Sequence, residues 1–156
     1  MENLKVTIIN FNEKYAKDFA QLNFEWLEKY FYIEAYDKKV LLNPKKYILD
    51  DGGYILFALI NEKVVGTVAL IKRGNDVFEL SKMAVTEDYQ GLRIGQKLMY
   101  ACIGYSGRIG AKCLFLDSNT KLAPAIKLYN KVGFKEIPVP KDTPYERCNI
   151  RMELYL

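Results

Sequence analysis

The middle of the chain, from residue 54 to residue 85, consists of three apolar segments separated by short polar turns. The segments cover residues 54–60, 64–71 and 77–85, and the turns lie at 61–63 and 73–76. Apolar segments of this length, bounded by turn residues such as Asn, Asp and Gly, are typical of strands joined by hairpins. The sequence therefore predicts a three-stranded meander that forms the centre of a sheet.

After the meander the apolar period changes to that of a helix. Its members recur every three or four residues: Ile94, Leu98, Cys102, Tyr105 and Ile109. Residues 112–116 then form a short apolar strand. A strand, a helix and a strand in this order are joined by a right-handed crossover, which makes the two strands parallel. We expect one parallel pair in an otherwise antiparallel sheet.

The rest of the chain supplies further helices and the outer strands. In chain order these are a strand at 4–11, a helix capped by Asn12 with an apolar stripe from Tyr15 to Tyr30, a short helix at 44–49, a helix at 122–132, and strands at 134–139 and 148–156. The predicted fold class is mixed α/β with a single sheet in the order β-α-α-β-β-β-α-β-α-β-β. We expect one domain over residues 1–156.

The composition excludes several classes of protein. The sequence contains no histidine, the commonest general base and metal ligand, so histidine-dependent nucleophilic and zinc sites are excluded. The three cysteines are widely spaced and form no CxxC pair, which predicts neither disulfides nor a metal site. The net charge of +4 is too small for the basic patch of a nucleic-acid-binding protein. We therefore expect no metal and no nucleic-acid partner.

The sequence also predicts a cytoplasmic protein without a membrane partner. The longest apolar segments, at 54–60 and 64–71, are shorter than the ~20 residues that a membrane span needs. The first residues, Met-Glu-Asn-Leu-Lys, lack the basic and then apolar order of a signal peptide.

The segment that joins the third meander strand to the following helix carries most of the chemical information. Gly91 and Gly95 lie where this helix begins. A helix N-terminus offers unpaired N–H groups and the positive end of the macrodipole, and glycine lets an anion approach the backbone. The segment matches neither GxxxxGK[ST] nor GxGxxG. The residues alone leave a phosphate site and a plain helix start open.

Two motifs around this helix resemble the GNAT acetyltransferase superfamily. Gln90-Gly-Leu-Arg-Ile-Gly95, placed after a Glu-Leu-x-Lys-Met-Ala-Val strand, is similar to the Q/R-x-x-G-x-G/A signature, although Arg93 stands where the first glycine is usual. Downstream, Asn119 and the run from Ala125 through Tyr129 to Gly133-Phe134 resemble the second hallmark. The resemblance implies the GNAT fold, with helices on both faces of the sheet. It also implies an N-acetyltransferase that uses acetyl-coenzyme A and a primary amine.

The resemblance further implies which residues hold the cofactor. They are Met83, Ala84, Val85, Gln90, Gly91, Leu92, Arg93, Ile94, Gly95, Gln96, Asn119 and Ala125. The amides of residues 91–96 are expected to hold the pyrophosphate, and the strand edge at Met83 and Val85 to bind the pantetheine arm, which Asn119 also contacts. The Arg93 side chain either points away from the pyrophosphate or pairs with it.

The predicted reaction needs a neutral amine and a proton for the leaving thiolate. Deprotonating a lysine-like amine at pH 7 costs about 4.6 kcal/mol, which a base can partly recover. Glu79 is the candidate base, since it lies in an apolar strand and matches a catalytic glutamate of several relatives. A solvated glutamate on a sheet face is the alternative. Tyr129 is the candidate acid, and its alternative is a core-facing aromatic residue.

The acceptor is the least specified part of the prediction. Residues 24–37 hold six aromatic and four acidic residues: Phe24, Trp26, Tyr30, Phe31, Tyr32 and Tyr36, with Glu25, Glu28, Glu34 and Asp37. In the family this region lines the acceptor cleft, so it favours a cationic amine of a small molecule or peptide. Packing of an amphipathic helix explains most of the same aromatic residues.

The sequence leaves three alternatives open. They are an enzyme that uses another acyl-coenzyme A, a non-catalytic acetyl-coenzyme A sensor or partner module, and an unrelated nucleotide-binding regulator. The oligomeric state is open as well, with a homodimer among the options.

Overall fold

The computed structural model describes residues 4–89 and 91–156. Its strands form one sheet in the order β1-β2-β3-β4-β5-β7-β6. They are β1 Thr7–Asn10, β2 Tyr54–Ile60, β3 Lys63–Gly74, β4 Val77–Val85, β5 Cys113–Ser118, β6 Lys135–Ile137 and β7 Ile150–Tyr155. The helices are α1 Ala16–Tyr30, α2 Ala35–Leu42, α3 Ile94–Arg108 and α4 Ala123–Val132. Neighbouring strands of the described sheet are antiparallel, except that β4 and β5 are parallel. The predicted mixed sheet with one parallel crossover is confirmed.

The central hairpin forms because its turn residues accept the required conformation. Asn61 and Glu62 have φ angles of 50° and 66°. A two-residue hairpin turn whose twist matches that of its strands needs positive φ at both positions, and asparagine tolerates positive φ better than most residues other than glycine. The turn therefore fixes the register in which Ile60 faces Lys63.

Two hydrophobic clusters pack on opposite faces of the sheet. Helix α3 buries Leu98 and Met99 on one face, where α4 also packs. Helix α1 buries Phe19 and α2 buries Leu41 on the other face, against Phe57 of β2. The expected helices on both faces are confirmed. Within the described part of the chain, no helix has the length and apolar character needed to cross a bilayer.

The structure differs from the prediction mainly before β2. Residues 35–42 form α2, which the sequence analysis did not foresee, while the helical stretch predicted at 44–49 is a π-helical turn at Lys45–Leu49. Helix α2 has only Val40 and Leu41 as buried apolar residues, so its apolar stripe is too short to recognise. It begins where the backbone N–H of Glu34 donates to Asp37 at 3.0 Å. Contacts with distant residues, described below, hold it in place.

Candidate active site

Strands β4 and β5 pair only along their first residues and then separate. The pairs run from Val77 with Cys113 to Glu79 with Phe115. Beyond them, residues 80–85 of β4 have no strand partner on the β5 side among the described residues. A cavity of about 1130 Å³ occupies the gap. An unpaired strand edge of this kind offers backbone N–H and C=O groups to an extended ligand.

The cavity passes through the sheet. Its lining includes Trp26 of α1 and Tyr129 of α4, which belong to helices on opposite faces. Residues 80–86 and 116–119 line it between these helices. Two molecules that enter from opposite faces would therefore meet in the gap between β4 and β5.

A β-bulge shapes the free edge of β4. Ser81 and Ala84 pair with Ala69 and Thr67, so Lys82 and Met83 together oppose one residue of β3. Lys82 has a φ of 56°, a conformation uncommon for residues other than glycine. Bulges bend a strand and increase its local twist. The bulge thus accompanies the departure of β4 from its neighbour.

The start of α3 adjoins this edge. Gly91 has a φ of 86°, and Arg93, which precedes the helix, has a φ of 55°. The first helical hydrogen bond joins Lys97 N to Arg93 O at 3.0 Å. A Cβ atom placed on Gly95 would lie 3.9 Å from Met83 Sδ, a residue that lines the cavity. The positive end of α3 therefore lies beside the unpaired edge of β4.

The structure divides the predicted cofactor residues into two groups. Met83, Ala84, Val85, Asn119 and Ala125 line the cavity, as does the predicted acid Tyr129. The second group, outside the lining, forms the loop and first turn of α3: Gly91, Leu92, Arg93, Ile94, Gly95 and Gln96. Gln90 lies outside the described residues.

Arg93 is the one residue of the loop that departs from the usual signature. Arg93 stands where the signature usually has glycine, and its backbone is left-handed, with a φ of 55°. Its side chain is exposed and makes no capping hydrogen bond. An L-residue in this conformation costs roughly 1–2 kcal/mol.

We expect Arg93→Gly to be at least as stable as the wild type and up to about 1 kcal/mol more stable, because the relief of backbone strain exceeds the extra unfolded-state entropy of glycine. Urea unfolding gives this difference. The matched variant Arg93→Ala removes the guanidinium and keeps the strain, so it should gain no stability. An alanine variant as stable as the glycine variant would contradict this explanation.

Asn119 has its side-chain hydrogen bonds within the protein. Its amide donates to the carbonyl oxygen of Arg147 at 2.8 Å, and its own oxygen accepts from the N–H of Lys121 at 2.9 Å. The side chain thus connects the end of β5 to the segment before β7. Its contact with a pantetheine arm stays a prediction.

Glu79 is buried, which makes the alternative of a solvated sheet face wrong. Its carboxylate accepts a hydrogen bond from Arg73 Nε at 2.8 Å and lies 2.7 Å from Arg73 Nη2. Glu79 is not among the residues that line the cavity. Arg73 was not predicted as a partner of Glu79, because its neighbours Gly74 and Asn75 indicate a turn at residue 73, whereas β3 continues to Gly74. Whether Glu79 serves as the base stays a prediction.

Tyr129 combines both interpretations that the sequence left open. Its ring packs against Phe134 with centroids 6.1 Å apart, and the residue also lines the cavity. Burial raises the pKa of Tyr129 to about 12. The hydroxyl group therefore keeps its proton throughout the neutral range, as an acid catalyst requires.

A buried charged cluster on the α1–α2 side of the cavity was not predicted. Arg147 donates from Nη1 and Nη2 to the two oxygens of Asp37 at 2.7 and 2.8 Å, and from Nη1 to Glu34 at 2.7 Å. Lys82 Nζ donates to Asp37 Oδ1 at 3.3 Å and to the hydroxyl of Tyr145 at 2.9 Å. Four of these residues line the cavity: Asp37, Lys82, Tyr145 and Arg147. Glu34 and Asp37 belong to the acidic region predicted to line the acceptor cleft, but their pairing with Lys82 and Arg147 was not predicted.

Burial and ion pairing shift the pKa values of Asp37 and Lys82 in opposite directions. Burial works to raise the pKa of Asp37, but Arg147 and Lys82 outweigh it and leave that pKa lowered. Burial lowers the pKa of Lys82, and Arg147 adds to this effect while Asp37 opposes it. Asp37 is therefore a firm anion, and Lys82 holds its proton less strongly than an ordinary lysine.

The parallel crossover, the gap beside it and the loop before α3 are features of one known family. Residues 16–134 match the sequence profile of the Acetyltransferase (GNAT) family. The chain belongs to the GNAT acetyltransferase family. The resemblance seen in the sequence is thereby confirmed.

Relatives with known sequences agree with this assignment. The chain is 33% identical over 101 residues to a probable N-acetyltransferase, camello, of Xenopus tropicalis, which covers 64% of this chain and 46% of that protein. It is 28% identical over 141 residues to an N-alpha-acetyltransferase of Sulfurisphaera tokodaii, covering 87% of this chain and 74% of that protein. The chain spans about half the length of the camello proteins that it matches.

Solved structures share the fold over nearly the whole chain. A GNAT-family acetyltransferase from Staphylococcus aureus Mu50 superposes with a TM-score of 0.86 and 26% identity, covering 97% of this chain and 99% of that one. The PaiA N-acetyltransferase of Thermoplasma acidophilum, solved in complex with coenzyme A, superposes with a TM-score of 0.75 and 16% identity, covering 97% and 99%. The second likeness shows the fold alone.

Proposed function

We propose that this protein transfers the acetyl group of acetyl-coenzyme A to the primary amine of a small molecule or peptide, directly and within a ternary complex. The observation that carries the proposal is the cavity that passes through the sheet between β4 and β5. Donor and acceptor can enter it from opposite faces and react without a covalent enzyme intermediate. Membership of the GNAT family supports the reaction class.

The free edge of β4 and the start of α3 are the proposed binding site for coenzyme A. The pantetheine arm contains amide groups, which the backbone of Met83 and Val85 can pair with as an added strand. The pyrophosphate then lies at the amide-rich turn of residues 91–96, beside the positive end of α3. The PaiA protein, which shares the fold, was solved with coenzyme A.

Coenzyme A supplies the acetyl group as an activated thioester. The chain's own residues position the two substrates and protonate the leaving sulfur. Tyr129 lines the cavity with its hydroxyl protonated and is the proposed proton donor to the leaving sulfur. Backbone N–H groups of the bulged strand can polarise the thioester carbonyl, an arrangement that costs no reorganisation during the reaction.

The α1 side of the cavity supports a cationic acceptor. Trp26 lines the cavity and packs against Tyr30 and Phe31, with centroids 5.3 and 5.7 Å apart, and Glu25 and Glu28 line the same side. Aromatic faces and carboxylates both attract an ammonium group. The acceptor is therefore proposed to be a positively charged amine.

We expect coenzyme A and acetyl-coenzyme A to stabilise the protein, by about 2.7 kcal/mol at ~100 times the dissociation constant, and ATP and NAD to give no comparable effect. A thermal-shift comparison measures this. Release of free thiol over a panel of cationic, neutral and anionic amines then tests the transfer. Stabilisation by coenzyme A without turnover of any amine would instead identify an acetyl-coenzyme A sensor.

A further inference from the structure

We infer that Lys82 is the proton acceptor for the amine substrate, an inference that rests on the proposed acetyl transfer. Its side chain is only 3% exposed, yet the residue lines the cavity. It projects from the bulge of β4 toward Asp37 of α2 and toward Tyr145, on the side from which the acceptor is proposed to enter. Glu79, the base expected from the sequence, is paired with Arg73 and does not line the cavity.

The hydrogen bonds of Lys82 suit a neutral amine. A protonated lysine has three N–H donors, whereas the neutral amine has two donors and one lone pair. Lys82 Nζ donates to Asp37 Oδ1 at 3.3 Å and to Tyr145 Oη at 2.9 Å, and these are its hydrogen bonds among the described residues. With both donors used, the remaining position of Nζ is available to a proton from a molecule in the cavity.

The charges around Lys82 leave its own charge only partly balanced. Arg147 donates hydrogen bonds to both oxygens of Asp37 at 2.7 and 2.8 Å, which are shorter than the 3.3 Å bond from Lys82. It also donates one to Glu34. The ring centroids of Tyr36 and Tyr145 lie 5.6 and 4.6 Å from Lys82 Nζ.

Glu79 and Arg73 lie further from Lys82 than Asp37 does. Glu79 also attracts the Lys82 charge, although Arg73 of β3 pairs with that carboxylate. Burial lowers the pKa of Lys82 as the largest effect, with Asp37 opposing it and Arg147 adding to it. A buried lysine tuned in this way is a recognised kind of general base.

A positively charged acceptor further favours the neutral form of Lys82. When Lys82 is neutral, Glu34, Asp37 and Arg147 together keep one net negative charge, which attracts an incoming ammonium. If Lys82 still carries its proton, the two like charges repel, and this repulsion favours loss of the Lys82 proton. Binding of the acceptor therefore prepares Lys82 to accept a proton.

The proposed reaction begins with proton transfer to Lys82. The bound ammonium gives one proton to the lone pair of Lys82 Nζ. The neutral amine nitrogen then forms a bond to the acetyl carbon, and the bond from that carbon to sulfur breaks. Tyr129 gives its proton to the thiolate and regains one from the nitrogen of the new amide. Lys82 finally releases its proton to solvent, so that the products are an amide, a thiol and one proton.

The test compares Lys82→Arg and Lys82→Met with the wild type. Arginine keeps a cation for Asp37 and Tyr145 but cannot accept a proton, and methionine removes both functions. We expect both variants to lose about 10²–10⁴-fold in kcat/KM at pH 7 while binding coenzyme A normally. The rate of both variants should keep rising toward the pKa of the free amine, about 10.4, whereas the wild type levels off earlier. Lys112→Met, at an 81% exposed site at the far end of the sheet, should change nothing.

Two results would overturn the inference. The first is a Lys82→Arg enzyme with the rate and pH profile of the wild type, since a charge alone would then suffice. The second comes from the wild type and needs no variant activity: a ¹³Cε NMR titration in which Lys82, assigned with the arginine variant, changes protonation at or above about 10.4. Failure of the proposed function looks different, because the wild type itself would then release no thiol with any amine.

Discussion

Asp37→Asn is expected to destabilise the protein by about 3–5 kcal/mol, because it removes the anion that holds Lys82 and Arg147 in the interior. Asp37 is fully buried, and its two oxygens accept two hydrogen bonds from Arg147 and one from Lys82. Asparagine has nearly the same shape, so the change in packing is small. Lys82 would lose its anionic partner, Arg147 would keep only Glu34, and the start of α2, where Asp37 accepts from the N–H of Glu34, would weaken.

Urea unfolding measures the loss, and Asp50→Asn is the matched control. Asp50 pairs with Lys45 at 3.1 Å, but its side chain is 55% exposed. The same substitution there should cost less than about 1 kcal/mol. An equal loss of unfolding free energy at the two sites would contradict this prediction, because it would show that water screens the charges of the Asp37 cluster.

The same carboxylate predicts an acid-dependent stability. The pKa of Asp37 is lowered in the fold, so its contribution is fully present above the unfolded value of about 3.9 and is lost as the pH falls through the folded value. The stability difference between the wild type and Asp37→Asn should therefore narrow on acidification below about pH 4.

Tyr129→Phe is expected to lower kcat by about 10²-fold without changing the affinity for coenzyme A. The substitution keeps the ring and its packing against Phe134 but removes the hydroxyl group. The expected loss lies at the low end for acid catalysis, because a thiol with a pKa near 8.5 leaves readily as a thiolate. Since the pKa of Tyr129 is raised to about 12, the wild type should not lose its acid form anywhere in the neutral range.

Steady-state kinetics, together with coenzyme A binding measured separately, tests this role. Tyr105→Phe is a suitable control, because Tyr105 packs against Tyr54 with centroids 5.0 Å apart and does not line the cavity between β4 and β5. If Tyr129→Phe turned over as fast as the control, the thiolate would leave unassisted and Tyr129 would serve only the core.

The sequence predicted those parts of the fold that local patterns determine. The hairpin at Asn61-Glu62 follows from turn chemistry, and the crossover follows from the change of apolar period between β4 and α3. Helix α2 escaped prediction because a short helix with two buried apolar residues has no clear stripe. Its position depends on partners that are far away in the chain.

The candidate site was predicted where it depends on motifs and missed where it depends on pairing. Met83, Val85 and Tyr129 line the cavity in the positions that the motifs implied. The pairing of Asp37 with Lys82 spans 45 residues, and that of Asp37 with Arg147 spans 110. Only the order of strands in the sheet brings these residues together, and no single segment carries that information. Asp37 was part of the predicted acceptor region, but its pairing with Lys82 was not predicted.

Hydrogen exchange with and without coenzyme A tests the central claim most directly. If the free edge of β4 and the start of α3 hold the cofactor, the amides of residues 81–85 and of the first turn of α3 should exchange more slowly in its presence. The paired amides of the β1–β2 edge should not change. Unchanged exchange at residues 81–85 and 94–96 under saturating coenzyme A, or protection confined to another surface, would contradict the proposed site.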